Sequence, residues 1–213
     1  LIALSRVWRS QGITANNSLK TTWGEIALYP IPAALYLAKN LLQYVVFLHV
    51  DAPSYQILKN LNIISTGLLY RIFLGKELTT VQWCALMLLA IGCTTSQLTS
   101  ESDRVLSTSR AGYVTALGMA LLSGAAGVYT ELIMKKRVQR DVNVQNVYLY
   151  TFGIIFNVLV LFFHDGVEVV KRGVFHGYHT IVVVMIFNHA FSGIAVSLVM
   201  KYADNIVKVY ATS

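Results

Sequence analysis

The chain has 213 residues with 17 Lys and Arg against 10 Asp and Glu, a net charge of +7, 55% hydrophobic and 13% charged residues, and a mean hydropathy of +0.58. Soluble domains carry about 25% charged residues, so an ordinary soluble fold is excluded in favour of a helical integral membrane protein. The ten-residue alternating segments of a membrane barrel do not occur, and the basic excess lies mostly in connectors, so no nucleic-acid partner is called for.

Leu1 to Leu4 reads as the tail of a spanning helix. With no methionine at the start and Ser213 in mid-helix, the sequence is expected to be the central part of a longer chain. A polar connector with Arg6, Arg9 and Lys20 leads to a span over Ile26–Leu48. Pro30 and Pro32 suit its first turn, and Lys39, Asn40 and Gln43 fall mid-helix. His49 to Pro53 forms a tight turn into a second span, Asp51–Leu74, closed by Gly75, Lys76 and Glu77. Val81–Gln97 is apolar, Thr99–Arg110 is a polar loop, and Ala111–Met134 is a span carrying Gly118, Ala120, Ser123, Gly124 and Gly127. Small residues at such spacing let helix backbones approach closely. After Lys135, Lys136, Arg137 and Arg140 come a span over Val144–Phe163, a polar loop over His164–Tyr178, a span over Thr180–Met200 and a last helix entered at Lys201. Cys84 and Cys93 lie roughly 13 Å apart at about 1.5 Å rise per residue, beyond disulfide reach, and are expected as buried small residues.

Sorted by alternate connectors, one side holds Arg6, Arg9, Lys20, Arg71, Lys76, Lys135, Lys136, Arg137, Arg140 and Lys201; the other holds Arg104, Arg110, Lys171 and Arg172. The positive-inside rule places the first set in the cytoplasm. The sequon Asn16-Asn17-Ser18 falls on that side and should be unused.

Polar residues inside spans point to function. A lysine at the centre of a membrane helix costs about 2.5–3.5 kcal/mol on insertion scales. Tyr55, Lys59, Asn62 and Thr66 are spaced four, three and four, which puts them on one helical face. Lys201, Asn205, Lys208 and Thr212 repeat that spacing in the other half, as inverted repeats around a midplane site would. Asp51 and Asp204 stand at helix starts, where carboxylates cap or favour the dipole, and Glu131 is the one clear membrane acid. The cavity is therefore expected to be net positive and to receive an anion, with lysine as a point charge for phosphate. Competing readings stand beside this one. Lysines near helix ends snorkel to headgroups, which is open for Lys201 and Lys39 and weaker for Lys59 and Lys208 because of their amide and hydroxyl neighbours. Asn146 and Tyr150, one turn apart, serve helix-helix hydrogen bonding equally well. His164, His176 and His179 lack the partners of a metal site, and no nucleophile-base pair or phosphate loop supports an enzyme. No cofactor is expected.

Three stretches carry a resemblance: Asp51-Ala52-Pro53-Ser54-Tyr55-Gln56, Ser123-Gly124-Ala125-Ala126-Gly127-Val128-Tyr129-Thr130-Glu131, and Lys201-Tyr202-Ala203-Asp204-Asn205-Ile206-Val207-Lys208. They resemble the nucleotide-sugar transporters of the drug/metabolite transporter superfamily, nearest the plant CMP-sialic acid transporter branch, over nearly the whole chain. The resemblance implies an all-α, ten-helix fold of two inverted five-helix halves, with this chain running from the end of helix 2 to the start of helix 9. Repeat one would be 1–99 and repeat two 111–213, within a single transporter domain. It further implies a multi-pass Golgi membrane protein, monomer or homodimer, exchanging a cytosolic CMP-sugar for luminal CMP by alternating access. On matching positions, Asn40 lies near the base, Tyr55 contacts the nucleotide, Tyr150 lines the cavity, Lys208 contacts phosphate, and Gly124 and Gly127 leave room beside the ligand. Ser123, Asn146 and Asn62 join them as lining residues. The sequence departs from animal members at Asn62, where they carry a second phosphate lysine that Lys59 is expected to replace, and at Phe152, where they carry serine. These departures bear on the sugar more than on the nucleotide. The alternatives are a transporter of another nucleotide sugar or phosphorylated organic anion, as in the triose-phosphate branch, and a membrane scaffold whose polar residues only join helices.

Overall fold

The computed structural model describes residues 1–75, 77–97, 109–136, 139–203 and 206–207. Asn205, Lys208, Thr212 and nearly all of the predicted Thr99–Arg110 loop lie outside them. Nine helices follow among the described residues: α1 Ile2–Gln11, α2 Trp23–Ile26, α3 Pro30–Phe47, α4 Ala52–Lys59, α5 Leu61–Leu74, α6 Thr80–Gln97, α7 Arg110–Lys136, α8 Val142–Arg172 and α9 Thr180–Tyr202. Among these, α7, α8 and α9 are long and apolar enough to cross a membrane, and most of α6 forms a shorter apolar helix.

Local chemistry sets the boundaries. Pro30 stands at the first position of α3, where its fixed φ suits a helix start and no N–H is missed. Gly75 ends α5 in the left-handed region at φ 62°, its N–H donating to the carbonyl of Arg71, the usual way a glycine closes a helix. Asp141 caps α8, its Oδ1 accepting from the Asn143 N–H at 2.7 Å, whereas Asp51 holds the N-cap position of α4 without a side-chain cap bond.

Four expectations are corrected. The predicted single span Asp51–Leu74 is two helices joined at Asn60. There the Asn60 N–H bonds to the Ile57 carbonyl at 3.1 Å and the Ile63 N–H to the Asn60 carbonyl at 3.0 Å. Both are three-residue bonds that tighten the turn, while the Asn60 amide reaches Thr94 Oγ1 on α6 at 3.5 Å. The predicted His164–Tyr178 loop is helical as far as Arg172. With no proline to stop it, α8 continues, an Arg172–Glu168 ion pair spans its last turn, and it ends at Gly173 with φ 84°. At the other end of the chain, the connector with Arg6 and Arg9 is helical through Gln11. Finally, Cys84 is exposed and Cys93 half-buried, both free, because α6 packs along one side only.

Helix α7 is the axis of the molecule, with α3 and α5 making its broadest contacts and α4 and α9 smaller ones; α3 also packs on α8, and α5 on α6. The small residues of α7 explain this close approach. A Cβ added at Gly124 would lie 2.9 Å from Leu69 Cδ1 and 3.4 Å from both N and Oγ1 of Thr66, and one at Gly118 would touch Leu42. Ser65 Oγ crosses the same seam to the Ala120 carbonyl at 3.0 Å. A cluster of Val46, Val50, Tyr55, Leu58, Ala116 and Met119 fills the space between α3, α4 and α7.

The 12–22 connector, Arg140 and Lys201 gather at one end. Arg140 donates to the carbonyls of Ala15 at 2.8 Å, Ser18 at 2.8 Å and Lys20 at 3.1 Å, and to Thr21 Oγ1. Tyr148 donates to the Leu19 carbonyl, and Lys201 Nζ to the Arg140 carbonyl. Within the strap, Asn17 is buried and bonds the Thr14 N–H and the Gly12 carbonyl. The 12–22 connector is thus fastened across the start of α8 and the end of α9.

Candidate functional site

A cavity of about 500 Å³ opens between α3, α7, α8 and α9, inside the range of about 300–1,000 Å³ usual for small-molecule sites. Ala33, Met134 and Met200, all buried, close it at the end where the basic connectors lie. Tyr36, Lys39 and Asn40 enter from α3, Thr130 from α7, Tyr150 and Asn157 from α8, and His189, Ser192 and Ser197 from α9. No carboxylate is among these lining residues.

The membrane acid is engaged elsewhere. Glu131 is fully buried and accepts from Tyr70 Oη at 2.7 Å and from Lys135 Nζ at 2.8 Å. Its neighbour Thr130 turns towards the cavity, donating to the Ala126 carbonyl at 2.7 Å and hydrogen-bonded to Tyr36. Lys39 Nζ donates to Gln43 Oε1 at 3.0 Å and to Asn40 Oδ1 at 3.4 Å. Tyr150 lies over Gly193, so close that an added Cβ there would come within 3.1 Å of its hydroxyl. Asn146, one turn before Tyr150, donates to Ser197 Oγ at 2.8 Å, and its buried Oδ1 has no partner among the described residues.

The sequence candidates divide into three groups. Asn40 and Tyr150 line the cavity, and Asn146 stands directly behind it through Ser197. Tyr55, Asn62, Gly124 and Gly127 lie among the contacts of α7. Tyr55 is buried, with its ring 4.5 Å from that of Phe47 and its hydroxyl 3.8 Å from Met119 Sδ. Asn62 Oδ1 accepts from Thr66 at 3.3 Å, Gly124 abuts Thr66, and Gly127 is buried, while Ser123 is half-buried on the same helix. Lys59 is exposed at the end of α4, near enough to Lys39 for the two charges to interact. Lys208 lies outside the described residues. Lys39 was marked in the sequence as a charge inside a predicted span but not assigned to the site. The polar cavity residues that the sequence did not mark are Tyr36, Thr130, Asn157, His189, Ser192 and Ser197.

A chain that is helical throughout its ordered elements among the described residues, with several helices fit to cross a membrane around a cavity that polar groups enter, is a polytopic membrane protein. It belongs to the nucleotide-sugar transporter family, whose model matches residues 9–213. Over its 213 residues the chain is 61% identical to CMP-sialic acid transporter 4 of Arabidopsis thaliana and 62% identical to CMP-sialic acid transporter 2 of Oryza sativa subsp. indica, covering 100% of this chain and 60% of each relative. It is 37% identical over 189 residues to a UDP-N-acetylglucosamine transporter of Mus musculus, covering 86% of this chain and 58% of that one. The chain thus spans about 60% of the length of these relatives. The expected kinship with plant CMP-sialic acid transporters is borne out.

Proposed function

We propose that the protein is a nucleotide-sugar antiporter, moving a CMP-sugar from the cytosol in exchange for CMP across the Golgi membrane. The observation that carries this reading is a largely apolar cavity among the helices into which Lys39 and several amide and hydroxyl groups project, with no acid among the described lining residues, while the nearby Glu131 pairs with Lys135. Such a chamber repels a cation and stabilises an anion, and its tyrosines and amides supply directional bonds to a base or sugar. Family membership and the relatives named above support the nucleotide class. The ten-helix arrangement of two inverted halves, with repeats 1–99 and 111–213, belongs to the same proposal.

In this scheme Lys208, with Lys59, meets the phosphate. Asn40 contacts the base, and Tyr150 and Asn146 shape the chamber; Tyr55, assigned to base and ribose, and Asn62, Ser123, Gly124 and Gly127, assigned to the chamber wall, lie along the α7 seam beside it in this structure. Clustering of the 12–22 strap, Arg140 and Lys201 at one end agrees with a single cytoplasmic face. The test is a thermal-shift panel on the full-length protein with CMP, UMP, CMP- and UDP-sugars and sugar phosphates. A specific ligand at a hundred times its dissociation constant adds about 2.7 kcal/mol. Stabilisation by cytidine nucleotides, followed by CMP exchange in proteoliposomes that Lys208→Ala abolishes, is the expected result. A flat panel would leave a helix-joining scaffold, and near-normal exchange by Lys208→Ala would remove that residue from the site.

A further inference from the structure

We infer that Lys39 is a substrate-recognition residue of this cavity: it takes the phosphate charge shared by the two exchanged nucleotides, and Gln43 is the positioning residue that aims it. This deepens the transport reading and rests on it. The sequence-level assignment gave the charge to Lys59 and Lys208 and left Lys39 open to snorkelling.

Four observations carry the inference. Lys39 lies in the middle of α3, ten residues from Tyr29 at the N-cap and nine from Leu48 at the C-cap, too far from either end for its stem to reach headgroups easily. Its side chain lines the cavity. Gln43 Oε1 at 3.0 Å and Asn40 Oδ1 at 3.4 Å hold the ammonium by neutral oxygens, which satisfy donors without cancelling charge. No carboxylate among the described residues lines the cavity, and Lys59 lies close enough to add repulsion. A half-buried ammonium with a like charge nearby and no acid facing it is raised in free energy until an anion enters. Phosphate suits it better than a sugar carboxylate, because it is present on both the nucleotide sugar and the nucleoside monophosphate. A group that must serve both legs of an exchange has to bind what the two share.

Full-length protein in proteoliposomes, loaded with CMP, tests this through Lys39→Gln, Lys39→Arg, Gln43→Leu and Lys59→Gln. The readouts are the half-saturation constant for CMP and the preference for CMP over uncharged cytidine as a competitor. Lys39→Gln should raise the CMP constant about tenfold to a hundredfold, as expected for a lost bond to a charged group. Cytidine competition should stay unchanged, so the preference collapses. Lys39→Arg should restore part of it, Gln43→Leu should give a smaller rise, and Lys59→Gln a smaller one still. The double Lys39→Gln/Lys59→Gln change should depart from additivity, since the two charges interact. A Lys39→Gln protein that keeps the unmodified preference for CMP over cytidine overturns this inference alone. An unmodified protein that ignores every nucleotide overturns the transport reading and the inference with it. Equal loss of CMP and cytidine recognition in Lys39→Gln, with its thermal midpoint intact, assigns the residue a shaping role and also overturns the charge argument.

Discussion

Replacing Tyr70 by phenylalanine removes one oxygen from the seam between α5 and α7. That oxygen donates to Glu131 Oε1 at 2.7 Å across 61 positions of sequence, in a site where Glu131 is fully buried and Tyr70 nearly so. Hydrogen bonds between membrane helices average only about 0.6 kcal/mol and reach about 1.7, whereas bonds to charged groups contribute about 1.5–3 kcal/mol. The acceptor here is a carboxyl also bound to Lys135 at 2.8 Å, so the loss should sit near the top of the membrane range, about 1.5 kcal/mol. Lys135 is 31% exposed and can reach water, which keeps the effect from rising to the about 3–5 kcal/mol of a fully stranded buried charge. The assay is reversible unfolding in mixed micelles, run as a double-mutant cycle of Tyr70→Phe with Glu131→Gln. A coupling of about 1 kcal/mol or more is expected. A Tyr70→Phe change within about 0.3 kcal/mol of the unmodified protein would refute the claim that this carboxyl is held by α5.

Gly124 meets Leu69 and Thr66 so closely that its two substitutions should separate. Ala only displaces the tip of Leu69 and recovers up to about 1 kcal/mol of helix propensity, so it should be near neutral. Leu, in contrast, must push against the Thr66 backbone and should cost about 1–3 kcal/mol in the same unfolding assay. Arg140→Ala removes the donors that hold Ala15, Ser18, Lys20 and Thr21; trypsin cleavage after Lys20 should accelerate severalfold, and an unchanged digestion rate would show that the strap is held instead by Tyr148 and by Trp8, whose Nε1–H donates to the Asn17 carbonyl at 2.8 Å.

The long apolar helices were legible because their signal is continuous. Along α9 only Asn188, His189, Ser192 and Ser197 break an otherwise apolar run, and the small residues of α7 announce close packing in any arrangement. Pro30 does stand in the first turn of α3, but the expected start at Ile26 was early: Ile26 closes the short helix α2, and α3 begins at Pro30 itself. Two other boundaries were missed by more. Asn60 looks like any polar residue within a span, and the tightened turn there goes with a bond to Thr94, 34 residues away, which no local pattern encodes. The stretch from His164 to Arg172 reads as a loop by polarity. Yet an ionic pair at helical spacing, Glu168 with Arg172, together with the absence of any proline, lets α8 run on to Gly173.

The candidate site was half legible for a related reason. Helical spacing tells which side chains share a face but not what that face meets. The stripe of Tyr55, Asn62 and Thr66 does share a face, and α3 and α7 largely cover it: Tyr55 lies against Phe47 and Met119, and Thr66 against Gly124. Lys39 carried the same unpaired charge as Lys59 on paper, and only the packing of α3 against α7 and α8 separates them, setting one on the wall of an open cavity and leaving the other at a helix end. The count of membrane charges was sound in one respect that packing completes. Glu131 might have neutralised a cavity lysine, but Tyr70 and Lys135 bind it on the α5 side of α7, while Thr130 beside it faces the chamber. One turn of one helix thus sends its acid away from the cavity and its hydroxyl towards it. That separation leaves the described wall of the chamber positive, and a wall with a fixed positive charge and no acid among its described residues has a physical reason to prefer an anion.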